Sequence, residues 1–266
     1  QQTFWRDPAL PFIEARRVAD GRDLRYGRHW HETHSIGVIT GGRSTYVNGT
    51  HAELVEQGAV VVVNPGAVHG CNPVGDAPWS YVMFYLDPAW LGRVQARLRG
   101  DADVAFRPYD LAALRAPHVV DAGVRLFAML TDARHGVAER EAAVVDFVAL
   151  LDRGLAPGRH PQAAGTPKVE RVARYIDTHF AHALPLQDLC DAAHLSGSYL
   201  IRAFKKRYGV APHEYQTNRR IQYAKARLRA GAPIAQVALD VGFSDQAHFQ
   251  RVFKRMTAAT PGQYRD

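Results

Sequence analysis

"VGFSDQAHFQRVFKR", residues Val241–Arg255, holds a Gly-aromatic corner, a polar stretch, and then Phe and basic residues at helical spacing. Gly242 suits the left-handed conformation that ends a helix. Phe243 anchors the turn. Ser244 or Asp245 offers a side-chain oxygen to the orphan N–H groups of the next helix. Along that helix Phe249, Val252 and Phe253 share one side, while Gln246, Ala247, Gln250 and Arg251 share the other. Upstream, Pro233 suits the first turn of a preceding helix, with Ile234, Val237, Ala238 and Val241 as its buried stripe. The stretch therefore reads as helix, tight turn, helix. In a helix-turn-helix the second helix enters the DNA major groove, where Gln matches adenine and Arg matches guanine. Lys254 and Arg255 follow a turn later, where phosphates run.

The same pattern occurs about 49 residues earlier, in "LQDLCDAAHLSGSYLIRAFKKRYGVAPHEY". Leu189 matches Val237, Leu200 matches Phe249, Phe204 matches Phe253, Pro212 matches Pro261 and Tyr215 matches Tyr264. Here Ser196 is the expected cap. Leu200, Ala203 and Phe204 face inward, and Ser198, Tyr199, Ile201 and Arg202 are left for base edges. Lys205, Lys206 and Arg207 form the phosphate cluster. Between the copies, "HEYQTNRRIQYAKARLRAG" predicts one joining helix with Tyr215, Ile221, Ala224 and Leu228 as its stripe. Most of Arg219, Arg220, Lys225, Arg227 and Arg229 are expected on its solvated face. A rod of roughly 17 residues spans ~25 Å, a useful part of the ~34 Å that separates reading helices one DNA turn apart.

The charge distribution agrees. Net charge is +7, but Thr166–Asp266 carries 16 Lys/Arg against 8 Asp/Glu, and the preceding part 17 against 18. A basic C-terminal module suggests a polyanion partner, with double-stranded DNA first. The charge change coincides with "LAPGRHPQAAGTP", Leu155–Pro167, a Pro/Gly/Ala-rich linker candidate. The expected division is a first domain over 1–155, a linker over 156–166 and a second domain over 167–266. Only Cys71 and Cys190 occur, so no disulfide framework is expected, and a cytoplasmic location fits. No apolar run reaches the roughly 20 residues of a membrane span. "QQTFWRDPAL" shows no basic-then-apolar leader.

The first domain reads as strands. "HSIGVITGG", "STYVNG", "AELVEQG", "AVVVVNPG" and "WSYVMFYL" are short β-branched or aromatic runs punctuated by Gly, Asn and Pro. They predict an antiparallel barrel or sandwich up to about Leu86. Helices follow, opened by Pro88. Val120, Val124, Phe127 and Leu130 form one stripe, and Val144, Val148 and Leu151 another. These helices pack on the sheet or make a dimer interface.

The last hundred residues resemble the AraC family of bacterial transcription regulators, on "IAQVALDVGFSDQAHFQRVFKRMTAATPGQYR" and the copy before it. One departure is Thr257-Ala258-Ala259, where many members have Gly. The resemblance implies two recognition helices in successive major grooves. By position it assigns base reading to Ser198 and Arg202, and to Gln246, Gln250 and Arg251. "HWHETHSIGVITGG" and "GAVVVVNPGAVHGCN" resemble the two motifs of the cupin-type sensing domain that many members carry, which binds a small effector, often with dimerisation. The expected fold is thus α+β multidomain: a cupin-like antiparallel β-barrel with packing helices, then an all-α domain with two helix-turn-helix units. RNA polymerase becomes a partner if the protein activates transcription.

Effector candidates are His29, His31, Tyr46, His69, Trp79 and Tyr81, aromatic walls with a few polar groups. Three neutral imidazoles from His29, His31 and His69 also suit Zn, Fe, Ni or Cu. A metal cupin, however, places a Glu a few residues after its H-x-H pair, where Ser35 and Ile36 stand here. Glu32 adjoins His31 and should point the other way. No metal or other cofactor is therefore expected. The alternative, a metal-dependent cupin enzyme fused to a DNA-binding module, lacks both that Glu and a nucleophile-base pair.

Overall fold

A computed structural model describes residues 2–49, 51–110, 112–155 and 166–265. Cα packing divides the chain into two compact units: Gln1–Leu24 with Trp30–His160, and Arg25–His29 with Pro161–Asp266. Apart from Thr166, the expected linker lies outside the described residues.

The first unit has two antiparallel sheets. The larger runs in the order β1 (Gln2–Trp5), β2 (Ile13–Val18), β8 (Ser80–Leu86), β3 (His34–Gly41), β6 (Ala59–Val63) and β9 (Ala113–Arg115). The smaller runs β5 (His51–Glu56), β4 (Arg43–Asn48) and β7 (His69–Pro73). The five runs read from the sequence all appear as strands; β1, β2, β7 and β9 do not stand out in it. The two sheets share an interior of Val18, Ile39, Tyr46, Val55, Val61, Val63, Trp79 and Tyr81. Because side chains alternate across a strand, the neighbouring residues of the larger sheet face the other way. Ile36, Val38, Val60, Val62, Val82 and Phe84 pack on α1 (Pro88–Arg99), α2 (Pro117–Thr131) and α3 (Val137–Gly154).

The structure alters one expected stripe. Val124 is 43% exposed, and Gly123 faces the sheet instead. A Cβ on Gly123 would lie 2.9 Å from Val38 Cγ1, so the glycine lets α2 approach β3 closely.

The second unit is helical: α4 (Pro167–His179), α5 (Leu186–Ala193), α6 (Gly197–Tyr208), α7 (Pro212–Arg229), α8 (Ile234–Asp240), α9 (Gln246–Thr257) and α10 (Pro261–Arg265). The duplicated segments fold alike. Phe204 meets Tyr215 edge-on at 5.4 Å, and Phe253 meets Tyr264 edge-on at 5.6 Å. Both Phe side chains are fully buried. The joining helix α7 buries its whole expected stripe, Tyr215, Ile221, Ala224 and Leu228. Cys190 is buried within α5.

Candidate nucleic-acid interface and sensing site

Each α6 and α9 is held by one face and open on the other. Leu200 and Phe204 anchor α6, and Phe249, Val252, Phe253 and Met256 anchor α9. On the free faces Ser198, Arg202, Lys205 and Lys206 of α6 are exposed, as are Gln246, Gln250, Arg251 and Lys254 of α9. Tyr199 is also exposed on α6. In both helices the basic residues crowd the last turn, where they oppose the negative end of the helix dipole. Arg207 departs from its expected place in the phosphate cluster. It is turned inward, 3.6 Å from Glu170 and over the Tyr208 ring.

The caps separate the expectations. Asp245 accepts the His248 backbone N–H at 2.7 Å, and this bond holds its carboxyl below the usual carboxylate range. Ser196 stands at the corresponding position of α6 but makes no side-chain cap bond. Gly242 does take the left-handed conformation, at φ +78°. Arg219 and Arg220 correct the reading of α7's charges as solvated. Arg219 Nε lies 2.9 Å from Asp177, and all three guanidinium nitrogens of Arg220 donate to backbone carbonyls.

In the first unit, the aromatic effector candidates form part of the packed interior. Tyr46 is 0% exposed and Trp79 and Tyr81 are each 2% exposed. Tyr46 donates its hydroxyl to the Val62 carbonyl at 2.9 Å and accepts from Asn48. Trp79 donates to the Gly21 carbonyl at 2.8 Å and stacks on Tyr81. Their polar handles thus serve the fold.

The histidines are arranged differently. His29 and His31 precede β3 and do not lie within a strand, and His69 opens β7. His31 and His69 bring their Nε2 atoms to 3.1 Å. His69 Nδ1 lies 2.9 Å from the Ala67 carbonyl, so it carries the proton and leaves Nε2 a lone pair. His29 Nδ1 lies 2.8 Å from the Gly27 carbonyl and is fixed in the same tautomer. His31 and His69 are both buried. Tyr85 meets His31 edge-on. Ser35 pairs with Tyr85 across β3 and β8, and its hydroxyl has no hydrogen-bond partner among the described residues.

Sequence reasoning missed His34. It is wholly buried between Phe106 and Tyr109, with neither ring nitrogen hydrogen-bonded among the described residues. Burial pushes it down to about 3, so it stays neutral near pH 7. Its place at the head of the "HSIGVIT" alternation was the available signal: His34 shares a face with Ile36 and Val38.

Comparison with known proteins decides the family. Residues 12–146 match the AraC-like ligand binding domain, and residues 189–266 match a helix-turn-helix domain. The chain belongs to the AraC family. As an AraC-family transcription regulator, it joins a ligand-binding domain to a helix-turn-helix DNA-binding domain. It is 25% identical over 249 residues to the uncharacterized HTH-type transcriptional regulator YbfI of Bacillus subtilis, covering 93% of this chain and 89% of the relative. It is 24% identical over 249 residues to the raffinose operon transcriptional regulatory protein RafR of Pediococcus pentosaceus, covering 90% and 87%. The crystal structure of ToxT from Vibrio cholerae has a TM-score of 0.56 at 12% identity, covering 100% of this chain and 96% of that one, a likeness of fold. No helix among the described residues is long and apolar enough to cross a membrane.

Proposed function

We propose that this AraC-family regulator reads its DNA site with Ser198 and Arg202 of α6 and with Gln246, Gln250 and Arg251 of α9. Lys205, Lys206 and Lys254 contact the flanking phosphates. The observation that carries this is the repeated outer face: two duplicated helices are each anchored by Phe and each leave these groups in solvent. Base-edge contacts discriminate sequence, whereas phosphate contacts add affinity on any duplex. Arg251→Ala is therefore expected to weaken binding to a duplex selected from a random pool more than binding to random DNA. Equal loss on both would remove Arg251 from base reading. Lys254→Ala should weaken both alike and reduce the salt dependence of binding.

The effector reading centres on His31, His69 and Ser35, with Tyr46, Trp79 and Tyr81 as walls. RafR is named for a raffinose operon, and a ToxT structure is described as bound to an unsaturated fatty acid. Both ligand classes belong in a thermal-shift screen, where a true ligand raises the melting temperature with its concentration. The ligand controls transcription only through different affinities for two states of the regulator. Homodimerisation, recruitment of RNA polymerase if the regulator activates, and a cytoplasmic location complete the reading.

A second reading is a transition-metal ion held by His31 and His69, favoured by the 3.1 Å approach of their Nε2 atoms. His69 donates Nδ1–H to the Ala67 carbonyl, the usual support of a metal-bound imidazole. Metal analysis of the purified regulator distinguishes the two: a stoichiometric ion supports this reading, and none supports an organic ligand. Enzymatic activity is not part of the proposal. Burial pushes the Cys71 thiol up to about 12, so it supplies no reactive thiolate.

A further inference from the structure

The two helix-turn-helix units are joined by more than α7. The loop Phe180–His182 follows α4 and leads into the first helix-turn-helix; the turn Gly242–Phe243 lies between α8 and α9 of the second. These two backbones touch. A Cβ on Gly242 would lie 1.9 Å from the Ala181 carbonyl oxygen. No side chain fits there, and the positive φ independently favours glycine.

Arg220 closes this seam. Its Nε donates to the Phe180 carbonyl at 2.7 Å, Nη2 to the His182 carbonyl at 2.9 Å and Nη1 to the Gly242 carbonyl at 2.9 Å. Its guanidinium also lies over the Phe243 ring. One turn earlier on α7, Gln216 donates to the same Phe180 and His182 carbonyls at 2.9 and 2.7 Å. The Phe180 carbonyl belongs to the end of α4, where acceptors lack intrahelical donors and a cation is favoured. A planar fork with several fixed donors can span three carbonyls from two segments; a lysine ammonium cannot hold that geometry.

We propose that Arg220, with Gly242 and Gln216, is a positioning residue that locks α6 and α9 into one rigid reader and so fixes the spacing of the DNA half-sites the protein accepts. This rests on both helices reading DNA. Arg220 itself contacts no base in this scheme. A one-base-pair change moves a half-site by ~3.4 Å and rotates it by ~35°, and a rigid reader cannot follow that change.

The first test needs no DNA and so stands apart from the base-reading assignment. Spin labels on Lys206→Cys and Arg255→Cys in the full chain report the separation of the two helices. One narrow distance distribution is expected, broadened by Arg220→Ala; a broad distribution in the parent protein would overturn the proposal. The second test uses a duplex selected from a random pool, and versions of it with one base pair inserted or removed between the half-sites. The parent should lose about tenfold or more in affinity per base pair of misplacement, on the scale of one lost base contact. Arg220→Ala and Arg220→Lys should cut that penalty to about threefold or less, with Gln216→Ala intermediate. A merely structural role would weaken every duplex alike and leave the ratio unchanged, which counts against the proposal. If Arg220→Ala does not fold, Arg220→Lys and Gln216→Ala carry the comparison, and the parent's distance distribution still decides.

Discussion

The first helix-turn-helix and the second share a skeleton and distribute their backbone strain in opposite ways. In the first, the turn after α5 places His194 at φ +51°, and α6 ends on Gly209 at φ +75°. In the second, the turn after α8 places Gly242 at φ +78°, and α9 ends on Ala258 at φ +53°. The positions match, but the glycine has changed places. Gly242 abuts the Ala181 carbonyl, so its turn tolerates no side chain. His194 is exposed, and solvent leaves room for its ring. A repeated fold thus fixes where a left-handed residue must sit, and the local neighbourhood decides whether it must be glycine.

If the skeletons are equivalent, their anchors should cost the same. Phe204→Ala and Phe253→Ala are each expected to destabilise the helical unit by about 3–5 kcal/mol in urea unfolding. A large inequality would break the equivalence. The sensing unit supplies a contrast through pH, because it buries a histidine that takes no proton when folded. Unfolded histidine titrates near 6.5 and His34 near 3, so its share of stability is complete above pH 6.5 and is lost as pH falls toward 3. Between pH 6.5 and pH 5 that loss is about 2 kcal/mol, from a slope of ~1.4 kcal/mol per pH unit. His34→Leu should flatten this slope in thermal melts of the full chain, while the helical unit's own transition keeps its pH dependence.

The reading faces sharpen the comparison next. Arg202→Ala and Arg251→Ala should each lose about 1–3 kcal/mol of discrimination, each at its own half-site in binding titrations. Loss at both half-sites from one substitution would mean that the copies do not read separately. Smaller effects test the exchanged strain. His194→Gly and Ala258→Gly should each stabilise by up to about 1 kcal/mol, and Gly209→Ala should destabilise by a similar amount. The caps come last. Asp245→Ala should lower the melting temperature of the helical unit, because it removes a cap bond to His248. Ser196→Ala should leave it almost unchanged, because its hydroxyl makes none.

Much of the helical unit was legible because its information is local. The periodic stripes of α7 and α9, the turn at Gly242 and the echo between the copies each lie within a few turns of helix. The departure at Ala258 was also visible as a missing glycine, and it surfaces as a non-glycine residue at positive φ. In the sensing unit, β2 was hidden by its charges. Its Arg16 is 2% exposed, yet it lies over the Phe4 ring and bonds Gln2, and Glu14 pairs with Arg6 at 2.8 Å. Alternation analysis takes such residues as outward-facing, because the partners that satisfy them lie 8 to 14 residues away in the chain.

By itself the sequence determined that two like helices would each be gripped by Phe and would each offer polar groups outward. Residue spacing sets which side of a helix is apolar, and that needs no knowledge of the rest of the chain. Only the tertiary structure decided that Arg220 would leave solvent to hold three carbonyls, and that His31 and His69 would face each other. Those partners lie 22 to 40 residues apart in the chain. Such meetings depend on how whole elements dock, which no local period records.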